Sequence, residues 1–248
     1  MAKWVLPFVL KRRVAIEVVY DSKPIYMRHP PGCSSSWFYI KEEGDLVRWA
    51  GRHAWSFHPH IGGQEDWWFV MDVDSRGKNM TYELDREVAL VLAGIFECDG
   101  KDYLIKFSGD RGFHFIWKWD MAGISLKGRS RWFEAKEKVR RYREMLEDRL
   151  RLDRSLSKRL AKVVDSGCPY TLTNSIQADC RTGVLLDANI LHKSGTIRSP
   201  FSIHPGTKLV SVPLKGFGGL KQFELEDARP EVVLRKRWDW VRLPINCW

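Results

Sequence analysis

The sequence predicts an α/β domain with mixed β-sheets and flanking helices. Short apolar runs of strand length alternate along the chain with longer amphipathic runs of helical length, a pattern typical of mixed folds. Turns bounded by glycine separate several of the apolar runs, and neither an internal repeat nor a low-complexity linker interrupts the 248 residues. We therefore expect one compact domain over residues 1–248, folded as two lobes.

The N-terminal quarter of the chain is predicted to be mainly strand. The apolar run around Trp4 favours a strand over a signal peptide, because KRR follows it at once and no small-residue cleavage site is present. VAIEVVY and PIYMRH predict two strands around a turn at residues 21–24. SSSWFYIKEE is strand-like, and EEGDLVRWAGRHAW predicts a short helix.

The remainder of the chain alternates between the two element types. WWFVMDV is a continuous apolar run that predicts a buried strand, and TYELDREVALVLAGIF predicts a helix with Thr81 as its N-cap. DYLIKFS and GFHFIWKWD predict strands on either side of a glycine-bounded turn. A long amphipathic helix is predicted from residues 130–153, and TGVLLDANI, TIRSPFSIH and KLVSVPL return to strand and loop.

Charge and cysteine content limit the function classes. The formal net charge of +10 favours a polyanionic partner, nucleic acid before an acidic membrane surface. The five cysteines include no C-x-x-C pair, and His53, His58 and His60 have no cysteine or acid at ligand spacing, so no zinc is expected. No apolar run reaches about 18 residues, so no membrane span is expected, and a reducing, cytoplasmic location is the simplest expectation.

Two carboxylates close the most apolar strand of the sequence. Because successive side chains of a strand point to opposite faces, Asp72 and Asp74 share one face at its C-terminal end. Neighbouring carboxylates repel, and a divalent cation such as Mg²⁺ or Mn²⁺, which prefers oxygen ligands, would compensate them. Two such ions about 3.5–4 Å apart support phosphoryl transfer. The alternative, that both acids cap a turn and face water, stays open on the D-x-D spacing alone.

Two further stretches carry candidate site residues. In KFSGDRGFHFIW, the glycines allow the turn to expose backbone N–H groups to phosphate oxygens, and Ser108, Arg111 and His114 can add donors or positive charge. The alternative is a plain hairpin with a core-facing histidine. Further along, LLDANILHKSGTIRSPFSIH offers a strand-end Asp187, with Arg198, Ser202 and His204 behind it. Asp187 would complete a set of three carboxylates, but strand-end aspartates are also ordinary.

Together the three stretches resemble the archaeo-eukaryotic primase superfamily, in which a D-x-D strand precedes a serine-glycine turn ending in histidine and a third acid on a later strand. Here these are MDVDS, SGDRGFH and LLD. The last block, RSPFSIHPGTKLVSVPL, is similar to the small catalytic subunit of archaeal and eukaryotic primases. KPIYMRHPPG, SSWFYIK and SFHPHIGGQEDWWFVMDVD are similar to the polymerase domain of bacterial ligase D and its archaeal end-joining relatives.

The resemblance implies a primase-type catalytic core and a role for each matching residue. Two divalent ions, Mg²⁺ or Mn²⁺, would be held by Asp72, Asp74 and Asp187. The incoming triphosphate would be bound by Ser108, Arg111 and His114, and further phosphates would meet Arg198 and His204. His58 matches a histidine near the nucleotide sugar in the end-joining branch, although a structural role for it stays open.

The resemblance implies a metal-dependent nucleotidyltransferase that adds nucleotides to a primer or gap on a DNA template during end joining. A Ku-type end-binding protein and a DNA ligase are then the expected partners. The first alternative is a replicative primase small subunit that makes RNA primers with a large subunit. The second is a non-catalytic nucleic-acid-binding module with the same fold. The chain departs from replicative small subunits because it lacks a zinc knuckle between the first two motifs and carries Asp110 where a basic residue is frequent.

Overall fold

Two β-sheets with helices packed on them form the part of the molecule that the structure describes. It is a computed structural model that describes residues 1–62, 67–76, 81–119, 137–138, 140–146, 148–149, 170–172, 182–187 and 195–241. The mixed strands and flanking helices confirm the predicted fold class. Among these residues, none of the helices combines the length and the apolar character needed to span a bilayer.

The first sheet is built around β1 (Arg13–Tyr20). This strand pairs antiparallel with β2 (Lys23–Met27), β3 (Phe38–Tyr39) and β4 (Ala54–Pro59). Positive φ angles of 48° and 63° at Asp21 and Ser22 close the β1–β2 hairpin, as a two-residue turn between right-twisted strands requires. The hairpin predicted around residues 21–24 is therefore confirmed.

Two short helices precede and follow the first strands. Residues predicted as an N-terminal strand form helix α1 (Ala2–Val9), so that prediction was wrong. The run buries Val5, Phe8 and Val9, which lie three and four residues apart on one helical face, and so short an apolar run does not fix its period by sequence alone. Helix α2 (Glu43–Ala50) was predicted, and a capping box of Glu42 and Asp45 starts it.

The second sheet holds six strands with β5 (Trp67–Arg76) inside it. Its order is β10-β6-β7-β5-β9-β8, and every neighbouring pair is antiparallel except β8 and β9. The other strands are β6 (Leu104–Phe107), β7 (Phe113–Trp119), β8 (Tyr170–Leu172), β9 (Thr182–Asp187) and β10 (Pro213–Leu214).

Helix α3 (Tyr82–Cys98) packs against the second sheet. Its start confirms the predicted N-cap, because Thr81 Oγ1 accepts a hydrogen bond from the Leu84 backbone N–H at 3.2 Å. Residues 140–146 are helical and bury Leu146, and the rest of the helix predicted over residues 130–153 lies largely outside the described residues. The chain then forms α4 (Gly216–Gln222), a 3₁₀ turn (Leu225–Ala228) and α5 (Pro230–Arg235).

Residues 195–212 connect the two sheets, and we call them the bridging segment. On one side, the N–H groups of Ser199 and Ile203 each donate at 2.8 Å to carbonyls of β4 residues. On the other side, the Phe107 N–H of β6 donates to the Val212 carbonyl at 2.8 Å. The segment thereby fixes β4 beside the β6–β7 turn, which brings residues of both sheets to one place.

Candidate functional site

A row of polar residues crosses the second sheet at the height of Asp72. The β-ladder pairs Asp72 with His114 on β7 and with Asp187 on β9, and His114 in turn pairs with Lys106 on β6. Residues directly opposite each other in antiparallel strands share a sheet face. Asp74 follows two residues later on the face of Asp72. The structure thus brings the three predicted acids to adjacent strands, although Asp187 is described by its backbone only.

His114 lies between Lys106 and Asp72. The Lys106 Nζ is 2.6 Å from His114 Nδ1, and His114 Nε2 is 3.3 Å from the Asp72 carboxylate. Lys106 Nζ also donates to Ser211 Oγ at 2.9 Å, and burial lowers the pKa of Lys106 well below its usual value. Burial and the neighbouring charge of Lys106 lower the pKa of His114 to about 4, although Asp72 opposes them. At neutral pH the site therefore holds a neutral, oriented imidazole.

The β6–β7 turn is built by two glycines at close approaches. Gly109 has a φ of +98°, a conformation that residues with a Cβ rarely adopt. A Cβ on Gly112 would lie 2.4 Å from the Val73 carbonyl oxygen, so only glycine lets the turn pass this close to β5. The Ser108 N–H donates to the Gly112 carbonyl at 2.9 Å and closes the loop. The turn predicted from the sequence is confirmed and lies directly above the acids.

Two of the predicted phosphate-binding side chains are already engaged within this turn. Ser108 Oγ accepts a hydrogen bond from the Asp110 N–H at 3.2 Å, so the hydroxyl stabilises the turn. Arg111 Nε lies 3.3 Å from the Asp74 carboxylate, and its Nη1 lies 3.6 Å from Asp110. Each carboxylate of the D-x-D strand thus contacts a basic side chain, Asp72 with His114 and Asp74 with Arg111.

Arg198 of the bridging segment joins the two sheets. Its Nη1 donates to the Ser108 carbonyl at 3.2 Å, and its Nε donates to Ser56 Oγ on β4 at 3.0 Å. Its Nη2 lies 3.5 Å from the Glu17 carboxylate on β1. Burial lowers the pKa of Arg198, and the Glu17 carboxylate acts in the opposite direction. The predicted phosphate-binding arginine therefore holds the turn against the first sheet.

Glu17 also contacts His58, the histidine predicted to lie near the nucleotide sugar. His58 Nε2 is 3.3 Å from the same carboxylate oxygen, Oε2, that faces Arg198. Burial lowers the pKa of His58 to about 4, although the hydrogen bond to Glu17 acts against it. Burial alone would raise the pKa of Glu17, but its contacts with His58 and Arg198 outweigh burial and lower it. Glu17 is therefore a carboxylate at neutral pH, with Arg198 as its charged partner.

His204 and Ser202 occupy different environments. His204 lies beside the glycine turn, since a Cβ on Gly109 would be 3.1 Å from the His204 Cβ, and Thr207 connects the two by donating to the Gly109 carbonyl. Burial and the charge of Arg198 lower the pKa of His204. Ser202 is 1% exposed, and its Oγ accepts from the Phe57 N–H at 3.0 Å. Ser202 therefore has a structural role that pins β4.

Glu17 and Lys106 are site residues that sequence reasoning missed. The sequence contains an indication of both, because Glu17 in VAIEVVY and Lys106 in DYLIKFS are charged residues inside otherwise apolar strands. A charged side chain in such a run is costly unless it has a partner. In the structure Lys106 is fully buried against His114 and Ser211. The site is thus wider than the three motifs.

The donor set at the acids suits Mg²⁺ or Mn²⁺. The Asp72 and Asp74 side chains are 24% and 25% exposed, so their oxygens are reachable, and carboxylate oxygens are the ligands these ions prefer. Among the side chains that the structure describes, no cluster of three or more histidine, cysteine or acidic residues could hold a metal ion. The described side chains do not include that of Asp187, whose backbone lies opposite Asp72 in the strand register.

Comparison with known proteins supports the fold. No family model and no curated protein matches the sequence. Among solved structures, the polymerase domain of Mycobacterium tuberculosis ligase D, determined in complex with DNA, is similar with a TM-score of 0.62 and 17% sequence identity. The match covers 94% of this chain and 85% of that chain. This is the primase–polymerase fold. The chain shares the architecture of that domain, and at this identity the similarity extends to the fold alone.

Proposed function

We propose that the chain is a metal-dependent nucleotidyltransferase that extends a primer or fills a gap on a DNA template, as a repair polymerase does in end joining. The observation that carries the proposal is the ladder register that places Asp72 between His114 and Asp187, with Asp74 on the same face under the glycine turn. The fold shared with the ligase D polymerase domain supports it. A single catalytic domain over residues 1–248 is part of the proposal.

In this proposal each group of residues has a defined task. Asp72, Asp74 and Asp187 hold the divalent ions. Two bound Mg²⁺ or Mn²⁺ ions would supply the Lewis acidity that activates a primer 3′-hydroxyl and offsets charge on the departing pyrophosphate. The primer 3′-hydroxyl loses its proton to water, and its oxygen forms a bond to the α-phosphorus of the nucleoside triphosphate as the bond to pyrophosphate breaks. The basic surface of the protein binds template and primer through their phosphates.

The basic residues at the turn receive the triphosphate. Arg111 lies 3.3 Å from Asp74, so the same guanidinium that compensates this carboxylate becomes available to phosphate oxygens when a cation binds the carboxylate. His114 is held by Lys106 at Nδ1 and faces Asp72 through Nε2. Arg198 and His204 add donors from the bridging segment, and His58 on the first sheet contacts the same Glu17 carboxylate as Arg198.

The test is primer extension with Mg²⁺ or Mn²⁺ on a primed, gapped template. Asp72→Asn removes one carboxylate at nearly constant volume, and we expect at least a hundredfold loss of incorporation while the melting temperature stays close to wild type. Asp102→Asn is the matched control, because Asp102 is exposed on the loop before β6 and should leave extension intact. Comparable extension by both variants would remove Asp72 from the metal site.

The same assay without a primer separates the repair and primase alternatives. Starting a strand requires two nucleotides to be held at once, each with its own loss of translational and rotational freedom, whereas extension captures one nucleotide per cycle. We expect extension to exceed unprimed synthesis by more than tenfold in the isolated chain. Unprimed synthesis at a matching rate would favour the primase small subunit, and no synthesis under either condition would favour a non-catalytic binding module.

A further inference from the structure

A second groove lies at the β10 edge of the second sheet. It has a volume of about 490 Å³ and is formed by β10, α4 and the residues that follow α5. The side chains that matter for its chemistry are Lys215, Lys236, Arg237 and Trp240, with Asp227 as the only acid in the lining. None of these residues belongs to the site around Asp72.

The charge of the groove suits a polyanion. Asp227 is engaged by Lys236 at 2.6 Å, so this pair is neutral overall. Lys215 and Arg237 are exposed, and within the described part of the chain neither side chain forms an ion pair or hydrogen bond. Two unpaired cations facing one concave surface attract phosphates and release counterions when these bind.

Trp240 gives the groove a flat apolar face beside those cations. Its neighbour Trp238 is 5% exposed and donates from Nε1 to the Val233 carbonyl at 2.9 Å, so Trp238 forms a fixed floor. The two indole rings lie 6.1 Å apart at 47°, and Trp240 remains 36% exposed. An exposed indole next to free cations is the combination that binds unpaired bases by stacking and their phosphates by charge.

The groove is continuous with the sheet that carries the acids. β10 pairs with β6, and Ser211, just before β10, accepts the hydrogen bond of Lys106 at 2.9 Å. β10 is three strand positions from β5 in the sheet order, about 14 Å at the usual strand spacing.

We propose that this groove binds single-stranded DNA, namely the unpaired part of the template. One base stacks on Trp240, and the adjoining phosphates contact Lys215 and Arg237. The choice of DNA rests on the proposed function, whereas the groove itself is defined independently of catalysis.

The test is fluorescence anisotropy of a labelled 12-nucleotide single strand with the full chain, in the absence of divalent metal and nucleoside triphosphate. Trp240→Ala should weaken binding roughly fivefold to a hundredfold, the range for loss of one stacked base, and Trp240→Phe should retain most of the affinity. Arg237→Gln should reduce the slope of log affinity against log salt by about 0.7. Arg235→Gln is the matched control, because this exposed arginine lies two residues away and does not line the groove.

Four results would overturn the proposal. Equal losses for Arg237→Gln and Arg235→Gln would mean that net charge alone binds DNA. Unchanged binding by Trp240→Ala, or equal wild-type affinity for an abasic strand, would exclude stacking. Tighter binding of RNA of the same sequence would exclude the template assignment. Because the assay contains no metal or triphosphate, its failure would leave the extension result for Asp72→Asn standing, and the two proposals fail separately.

Discussion

Replacing Glu17 by glutamine tests the contact network that joins the two sheets. The change keeps the shape of the side chain and removes the charge opposite Arg198. At 3.5 Å and an effective dielectric constant of 20, the lost attraction is about 5 kcal/mol before desolvation. The Glu17 and Arg198 side chains are 14% and 15% exposed. In the variant Arg198 still donates hydrogen bonds to Ser56 Oγ and to the Ser108 carbonyl. We therefore expect a net loss of about 2.5 kcal/mol in the free energy of unfolding, about half of the Coulomb value.

For a chain of this length, that loss corresponds to a melting temperature lower by about 5–10 °C. Urea denaturation and a thermal melt of Glu17→Gln, wild type and Asp102→Asn should show it, with the exposed Asp102 variant within about 0.5 kcal/mol of wild type. Because Arg198 and His58 depend on Glu17 for their positions, the KM for nucleoside triphosphate should rise more than kcat falls. A Glu17→Gln variant as stable as Asp102→Asn would refute the reasoning, since Glu17 would then contribute nothing to the network.

Two further predictions concern stability. Gly112→Ala forces a Cβ to within 2.4 Å of the Val73 carbonyl oxygen and should lower the free energy of unfolding, measured by chemical denaturation, by about 1–3 kcal/mol. The control is Gly94→Ala in α3, which has nothing within 4 Å of the added Cβ and should raise it by about 0.5–1 kcal/mol. A Gly112→Ala variant as stable as wild type would contradict the close approach. Burial lowers the pKa of His58 from 6.5 to about 4. Between these two pH values the unfolded chain binds more protons than the folded chain, so the free energy of unfolding decreases as the pH is lowered. Between pH 7 and pH 5 wild type should lose about 2 kcal/mol more than His58→Gln, and parallel losses would count against a buried neutral His58.

The sequence predicts elements well where one residue pattern dominates. The β1–β2 hairpin, the apolar β5, the glycine turn and the N-cap at Thr81 all follow from local signals, and the structure confirms them. The N-terminal helix was missed because eight residues with a short apolar run satisfy both periodicities. Local pattern carries no information on which distant strands become neighbours.

The partners of the site residues depend on that distant pairing. The D-x-D spacing predicts that Asp72 and Asp74 share a face, but the row from Lys106 to Asp187 exists only because β5 lies between β7 and β9. The contact of Glu17 with Arg198 likewise needs the bridging segment to dock on the first sheet. The motif order indicates which residues belong to the site, and only the sheet order shows what each of them touches.

The bridging segment has a consequence for how the protein is made. Arg198 contacts Ser56 and Glu17 across 142 and 181 residues of sequence. At about 5–20 residues per second, a ribosome adds Arg198 roughly 10–35 s after Glu17. During that interval the nascent chain carries an apolar first sheet whose β4 still lacks its partner segment, with the Glu17 carboxylate still without its arginine. Such long-range closure is slow and leaves strand edges exposed, so newly made chains should depend on chaperones until the last quarter has emerged.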